Sequence, residues 1–368
     1  MNSNPSAAAP PAVPNVPGRL ISLDAYRGFI MLLLVSGGFG LKSLEVYPGW
    51  QWLANQVEHA AWEGCTFWDL IQPAFTFMVG VAMPLALARR AAEGAGRAQR
   101  FRHVAWRAFM LIVLSNIYSN WGAGPGELRL QFINVLCQIA FGYLACYFII
   151  QLQFRIQAGV AALMLAGYWA LFAVFPGPQG AWSQTGNIGA VIDLSILGYS
   201  YSGYYTTINF IGNAVTILFG CWTGLLMQSG RPHASKLQIL ASCAAACLVL
   251  GLALQPFNPM VKRLWTCSFT FFSAGWVILM LIAFYWVIEV KQMKRWTLPF
   301  LVLGMNSIFV YSLGQIGISG WLNQGLAGFT GKFAFLGPAG IIPHQILVLA
   351  GLWSICYWLY QRKIFFKI

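Results

Sequence analysis

Ten apolar stretches, each about as long as a bilayer is thick, constrain this chain more than any other feature. They fall at about 20–41, 66–88, 103–120, 131–151, 156–175, 208–228, 236–254, 265–290, 297–319 and 341–361. A helix rises only about 1.5 Å per residue and needs roughly 20 apolar residues to cross hydrocarbon. Within hydrocarbon every backbone N–H and C=O must be satisfied internally, so stretches of this kind fold as helices. Composition agrees, at 58% hydrophobic and 8% charged residues with a mean hydropathy of +0.65, against roughly a quarter charged in a soluble domain. The expected architecture is an all-α, polytopic membrane bundle of ten to eleven transmembrane helices. With ten, both termini are cytoplasmic. Residues 1–18 are rich in Pro and Ala, carry no charged side chain and lack the pattern of a secretory signal, so they read as a disordered cytoplasmic tail. Residues 19–368 read as one transmembrane domain.

The net charge of +13 does not imply nucleic acid, because Lys and Arg collect in the cytoplasmic loops of membrane proteins. Residues 89–107 carry six arginines, and 291–295 and 361–367 add three basic residues each. The alternate loops hold only Lys42, Arg129, Lys262, Arg263 and Lys332. That asymmetry is a topology signal. Of the eight cysteines, seven fall within apolar runs and behave as small hydrophobes, with Cys65 alone near the outer face. Their spacing suggests neither a disulfide framework nor a metal site.

The stretch from His59 to Pro84 holds the densest chemistry. His59 precedes a long apolar run that opens with Thr66, carries Asp69 three residues on and meets Pro73 early. Thr66 and Asp69 have the spacing of a capping box, with Thr66 at the N-cap and Asp69 reaching back to free N–H groups. Asp69 is therefore both a capping and a catalytic candidate. Residues 47–63 are too polar to span, but Trp50, Leu53, Val57 and Ala60 form an apolar stripe at helical spacing. On the same helix Asn55, His59 and Glu63 would share another face, placing the Glu63 carboxylate within reach of the imidazole. The competing reading makes His59 an interfacial histidine with no chemistry. His103, His233 and His344 lie near span ends and read as structural.

Asp24 and Arg27 are three apart near the start of the first span, where ionisable residues are paired or functional. An interfacial ion pair and contact with a ligand both remain open. Asn209, Asn213 and Asn306 lie within apolar runs, where amides usually hydrogen-bond across helices. The long outer segment 176–207 holds Trp182, Asp193 and the run Tyr199 to Tyr205; such rings suit a sugar face or the membrane interface.

Several segments together resemble the heparan-α-glucosaminide N-acetyltransferase family. They are Ser22-Leu-Asp24-Ala-Tyr26-Arg27-Gly28, His59-Ala-Ala-Trp62-Glu-Gly64-Cys-Thr66-Phe-Trp-Asp69-Leu-Ile-Gln-Pro73 with Phe77-Met-Val-Gly80, and Gly304-Met-Asn306-Ser307-Ile-Phe-Val-Tyr311. The resemblance implies a transmembrane acyltransferase domain that takes acetyl-CoA from the cytoplasm and acetylates an amino sugar across the membrane. It implies a catalytic role for His59, as general base or as carrier of the acetyl group. Ser36 stands near a position where the lysosomal members carry an active-site asparagine.

The residues suit that chemistry independently. An amine must be unprotonated to attack a thioester, and histidine, with a reference pKa of about 6.5, is matched to take its proton. Glu63 or Asp69 would orient the ring. Asn306 and the backbone of Ser36–Gly40 are candidate donors to an oxyanion. Arg89, Arg90, Arg97 and Arg100 offer partners for the anionic end of CoA, with Asp24 and Arg27 as further cofactor candidates. Expected partners are an amino sugar or glycan and membrane lipid, with no nucleic acid, no metal and a homodimer as one option. Two other readings remain: an amino-sugar transporter using the same pocket, and an O-acyltransferase acting on another glycan or a lipid-linked sugar.

Overall fold

The structure is a computed structural model that describes residues 20–124, 126–201 and 205–366. The expected tail, 1–18, and residues 202–204 of the tyrosine-rich run lie outside the described residues. Among the described residues the fold is all helical. In chain order the helices are α1 (Ile21–Val35), α2 (Gln51–Gln56), α3 (Ile71–Ala92), α4 (Arg97–Ser119), α5 (Val135–Ile149), α6 (Phe154–Val174) and α7 (Ile188–Leu197). They continue with α8 (Phe210–Gln228), α9 (His233–Leu254), α10 (Cys267–Tyr285), α11 (Leu298–Met305), α12 (Ser307–Gln315), α13 (Ile318–Thr330) and α14 (Ile341–Gln361).

Each of the ten apolar stretches is helical, so this is a polytopic helical bundle and an integral membrane protein. Length and hydropathy together qualify six helices as spans among the described residues, or eight if each of two bent pairs counts as one. That is fewer than the ten to eleven expected. The two stretches that fall short do so for physical reasons. Helix α4 carries Arg97, Arg100, Arg102 and Arg107 in its first half, and α5 is only 15 residues long.

The two bends have different causes. After α1 the chain turns by 53° through Gly37, Gly38, Phe39 and Gly40, all left-handed, with φ of 56°, 62°, 54° and 71°. Three glycines make this turn cheap; Phe39 is the strained member. Between α11 and α12 the axis bends by 64° at Asn306, whose φ of −119° and ψ of 37° leave the helical region.

Helix pairs approach closely where small residues face each other, as membrane bundles require. A Cβ on Gly28 of α1 would sit 1.7 Å from the Phe300 carbonyl oxygen of α11, and one on Gly80 of α3 would sit 2.0 Å from that of Ile217 in α8. Gly80→Val is therefore expected to cost about 1–3 kcal/mol by overpacking. A fall in melting temperature in detergent checks this. Gly167→Val in α6, where a Cβ meets nothing within 4 Å, should melt like the parent protein.

The bundle has two chemically distinct ends. One gathers the α3–α4 arginines, Glu289, Lys291, Lys294, Arg295 and the C-terminal segment. Here the Ser22 N–H donates to Glu289, and Phe366 reaches back to Asn306. At the other end the connections 36–67, 120–124, 126–134, 175–201, 205–209, 255–266 and 316–340 interlock. The Gly64 N–H donates to the Met260 carbonyl and the Trp62 indole to that of Trp182. The functional residues singled out above divide between these ends.

Candidate active site

The site is built at the entrance to α3. Helix α2 stops at Gln56, and residues 57–67 run irregularly to a 3-10 turn at Trp68–Leu70 that leads into α3. The expected shared helical face of Asn55, His59 and Glu63 therefore does not form. Local hydrogen bonds fix the connection instead. Phe67 N–H donates to Gln56 Oε1 at 2.9 Å, and the Thr66 hydroxyl donates to the Glu58 carbonyl at 2.6 Å. Gly64, at φ 109°, takes a left-handed turn here, and its N–H donates to the Met260 carbonyl.

Asp69 organises this loop. Its Oδ2 accepts from the backbone N–H of Ala60 and of Thr66, both at 3.1 Å. The second bond is the one expected of a capping pair. Its Oδ1 lies 2.8 Å from His59 Nδ1 and 3.3 Å from Lys262 Nζ. Lys262 Nζ is also 3.2 Å from His59 Nδ1. The Asp69 and Lys262 side chains are 1% and 8% exposed, while that of His59 is 50% exposed. A carboxylate and an ammonium thus pair beneath an imidazole whose outer face is open. An ionised carboxylate only accepts hydrogen bonds, so the shared proton belongs on Nδ1 and Nε2 is left bare.

Lys262 comes from the turn between α9 and α10, and that turn is tightly held. Trp265, fully buried with a left-handed φ of 53°, donates its N–H to the Lys262 carbonyl and its indole N–H to Thr216 Oγ1. The Thr266 hydroxyl donates to the Pro259 carbonyl. A strained, buried tryptophan persists only where its surroundings over-determine it, and here it fixes the backbone that carries Lys262.

His59 and Lys262 border a cavity of about 400 Å³. Trp68, Phe75 and Met31 form its apolar wall; Gln72, Asn134, Tyr205 and Tyr311 line its polar side. The polar side is ordered by a relay. Tyr205 OH donates to Gln72 Oε1, Gln72 to Gln138 Oε1, Gln138 to Asn209 Oδ1, and Asn209 to the Arg263 carbonyl, at 3.3, 2.6, 2.8 and 3.0 Å. The relay ends beside Lys262. Tyr311 OH donates to Asn134 Oδ1 at 2.8 Å. Cys65, near the same site, is no candidate nucleophile: burial first, and Asp69 second, push its thiol up to about 12.

The other expected site residues are elsewhere. Glu63 is exposed on the connection and does not border the cavity. Asn306 is fully buried, but its amide donates to the Ile364 carbonyl and accepts from the Phe366 N–H; it braces the C-terminal segment. Ser36–Gly40 packs toward Val57, Ile341 and Gln345 and is not in the cavity wall. Asp24 and Arg27 pair at 2.9 Å, and Arg27 Nε donates to the Gly304 carbonyl at 2.7 Å. Arg89 pairs with Glu93 at 3.2 Å, and Arg90 donates to His103 at 2.8 Å. From Asp69 to Arg89 and Arg90 is some twenty residues of helix, about 30 Å. The structure joins His59 to Asp69 and leaves Asp24, Arg27, Arg89, Arg90 and Asn306 at the basic end. The remaining histidines are tied to neighbours, His233 to Tyr285 and His344 to Asn323.

Sequence reasoning assigned no role at the site to Lys262 or Gln72. Lys262 did carry a signal, as one of few basic residues in loops the charge asymmetry leaves poor in them.

Comparison with known proteins agrees with the resemblance read from the sequence. A family profile described as "Domain of unknown function (DUF5009)" matches residues 19–196. The chain is 26% identical over 421 aligned positions to the heparan-alpha-glucosaminide N-acetyltransferase of Homo sapiens, covering 96% of this chain and 60% of that protein. It is 24% identical over 418 positions to the Mus musculus protein of the same name, covering 95% and 60%. The chain spans about 60% of the length of these curated relatives. Over nearly its whole length the chain is similar in sequence to these heparan-alpha-glucosaminide N-acetyltransferases.

Proposed function

We propose that this protein is a membrane-embedded N-acetyltransferase that moves acetyl from acetyl-CoA to an amino sugar, with His59 as general base. The observation that carries this reading is a half-exposed imidazole held at Nδ1 by the buried Asp69–Lys262 pair and bordering a polar-walled cavity. The names of the homologues point to the same chemistry. A bacterial-type inner membrane is the proposed setting.

The amine nitrogen of the acceptor attacks the thioester carbonyl, and its proton passes to His59 Nε2. The C–S bond breaks, the imidazolium returns the proton to the departing thiolate, and N-acetyl sugar and CoA leave. Asp69 orients the ring and balances the imidazolium while it exists. The cavity's volume of about 400 Å³ is in the usual range for small-molecule sites, about 300–1,000 Å³. Gln72, Asn134, Tyr205 and Tyr311 offer donors and acceptors to sugar hydroxyls. The basic end, with Arg89, Arg90, Arg97 and Arg100, suits the anionic nucleotide of CoA.

The test is purified protein with labelled acetyl-CoA and a panel of amino sugars. Label should appear on the amine of at least one sugar with release of one CoA per acetyl. Acetyl-CoA alone should raise the melting temperature, since a ligand that binds only the folded state stabilises it. Saturable sugar binding without label transfer would favour the transporter. Label on a hydroxyl would favour the O-acyltransferase.

A further inference from the structure

We infer that Lys262 is the positioning and charge-setting residue of this site: its buried ammonium pairs with the Asp69 carboxylate that orients His59 and balances that carboxylate's charge beside the ring. The inference deepens the acyl-transfer reading and rests on it for its purpose, though not for its test.

A carboxylate 2.8 Å from an imidazole serves two opposed ends. It fixes the tautomer and the ring angle, which a general base needs. It also stabilises imidazolium, which a general base must avoid before reaction. An opposite charge within about 4–6 Å typically shifts a group by 1–3 pH units toward its charged form. A histidine so shifted would hold its proton at neutral pH and take none from the acceptor. Here the ammonium of Lys262 lies 3.3 Å from the same carboxylate oxygen and 3.2 Å from the same ring nitrogen. Lysine only donates hydrogen bonds, and Nδ1 already carries the proton shared with Asp69, so the ammonium donates to Oδ1. At the ring it acts as a nearby positive charge that disfavours a second one.

Two further titratable groups adjoin the pair: Arg263, half-buried and next to Lys262 in the chain, and Cys65, whose thiol burial and Asp69 push up. Of the other titratable groups near the ring, Tyr205 and Tyr311 line the same cavity. Glu58 and Glu63, on the histidine's own segment, are solvent-exposed, where their charges are screened. Asp69 and Lys262 are buried together, so their charges act on the ring with little screening. The covalent order of the chain does not favour this meeting, because Lys262 and His59 are 203 residues apart. It is made by the Trp265 turn and by Asn209, which holds the Arg263 carbonyl.

The test reads His59 directly. Full-length protein is labelled at histidine Cε1 and titrated by NMR in detergent, with the His59 signal identified by its loss in His59→Gln. Lys262→Met should raise the midpoint of that signal by about one pH unit or more. Lys262→Arg should leave it within a few tenths. Asp69→Asn alone should lower it, and Lys262→Met with Asp69→Asn should bring it back toward the parent value, as a double-mutant cycle requires. Where transfer is measured, the acid limb of its pH profile should move with the NMR midpoint. If Lys262→Met does not fold, Lys262→Gln and Asp69→Asn carry the comparison. An unchanged midpoint in both neutral Lys262 variants, or an equal shift in Lys262→Arg, overturns the inference. Absence of acetyl transfer in the parent protein, with the midpoints moving as stated, would sink the acyl-transfer reading and leave this one standing.

Discussion

Replacing His59 by alanine should lower acetyl transfer by about 10²-fold or more, the usual scale for loss of a positioned general base, while leaving the protein folded. The second half follows from the geometry. The His59 side chain is half exposed, and the loop around it is held by other bonds: Ala60 and Thr66 N–H to Asp69, Thr66 to Glu58, and Phe67 to Gln56. Without the ring, Asp69 still has both N–H groups and Lys262. The change in stability should stay within about 1 kcal/mol, as for a partly exposed substitution. Stabilisation by acetyl-CoA should persist, because the basic end lies about 30 Å away along α3. In the parent protein transfer should rise with pH as the imidazole loses its proton, then flatten; the residual activity of His59→Ala should lack that limb. Near-normal turnover with an unchanged profile would mean that another group takes the proton.

What the sequence made legible was local. Apolar stretches announced the helices, because hydrocarbon leaves the backbone no alternative. Thr66 and Asp69 announced the start of a helix, because free N–H groups recur at every helix start and three residues is the reach of a side chain back to them. His59 stood out as a titratable group beside that start. The failures arose where a periodic pattern was extended past its end. Asn55, His59 and Glu63 are evenly spaced, but spacing acts only on a helix, and α2 ends at Gln56. Glu63 then lies exposed, while Asp69, ten residues beyond His59, takes the ring. Asn306 misled for another reason. A buried amide at a helix break suits catalysis, yet the same break leaves a gap that the C-terminal segment fills, and Asn306 is spent on its backbone.

Lys262 and the amide relay were beyond periodicity. Gln72, Gln138 and Asn209 lie on three different helical elements, and only the packing of α3, α5 and α8 brings them into line. The charge asymmetry does flag Lys262 as an exception to its own rule. A basic residue in a loop otherwise poor in them has two explanations, solvation or a partner, and burial decides between them. At 8% exposure Lys262 has a partner.

That partnership sets the largest expected loss of stability. Asp69→Ala should destabilise the protein by about 3–5 kcal/mol, because it leaves a buried ammonium without its counter-charge. It also frees the backbone N–H of Thr66 and Ala60, a loss comparable to removing a helix cap, about 1 kcal/mol, within the same range. Asp69→Asn keeps the shape and one acceptor oxygen but not the charge, so it should fall between Asp69→Ala and His59→Ala. Melting in detergent should therefore rank Asp69→Ala lowest, Asp69→Asn next and His59→Ala nearest the parent. The cause can be separated from mere disruption of the loop. Adding Lys262→Met to Asp69→Ala removes the stranded charge, and the double variant should melt higher than Asp69→Ala alone even though it differs from the parent at one more position. Additive losses in the double variant would mean that the ion pair contributes nothing beyond the cap. A parent-like melting temperature for Asp69→Ala would remove Asp69 from the structural account altogether.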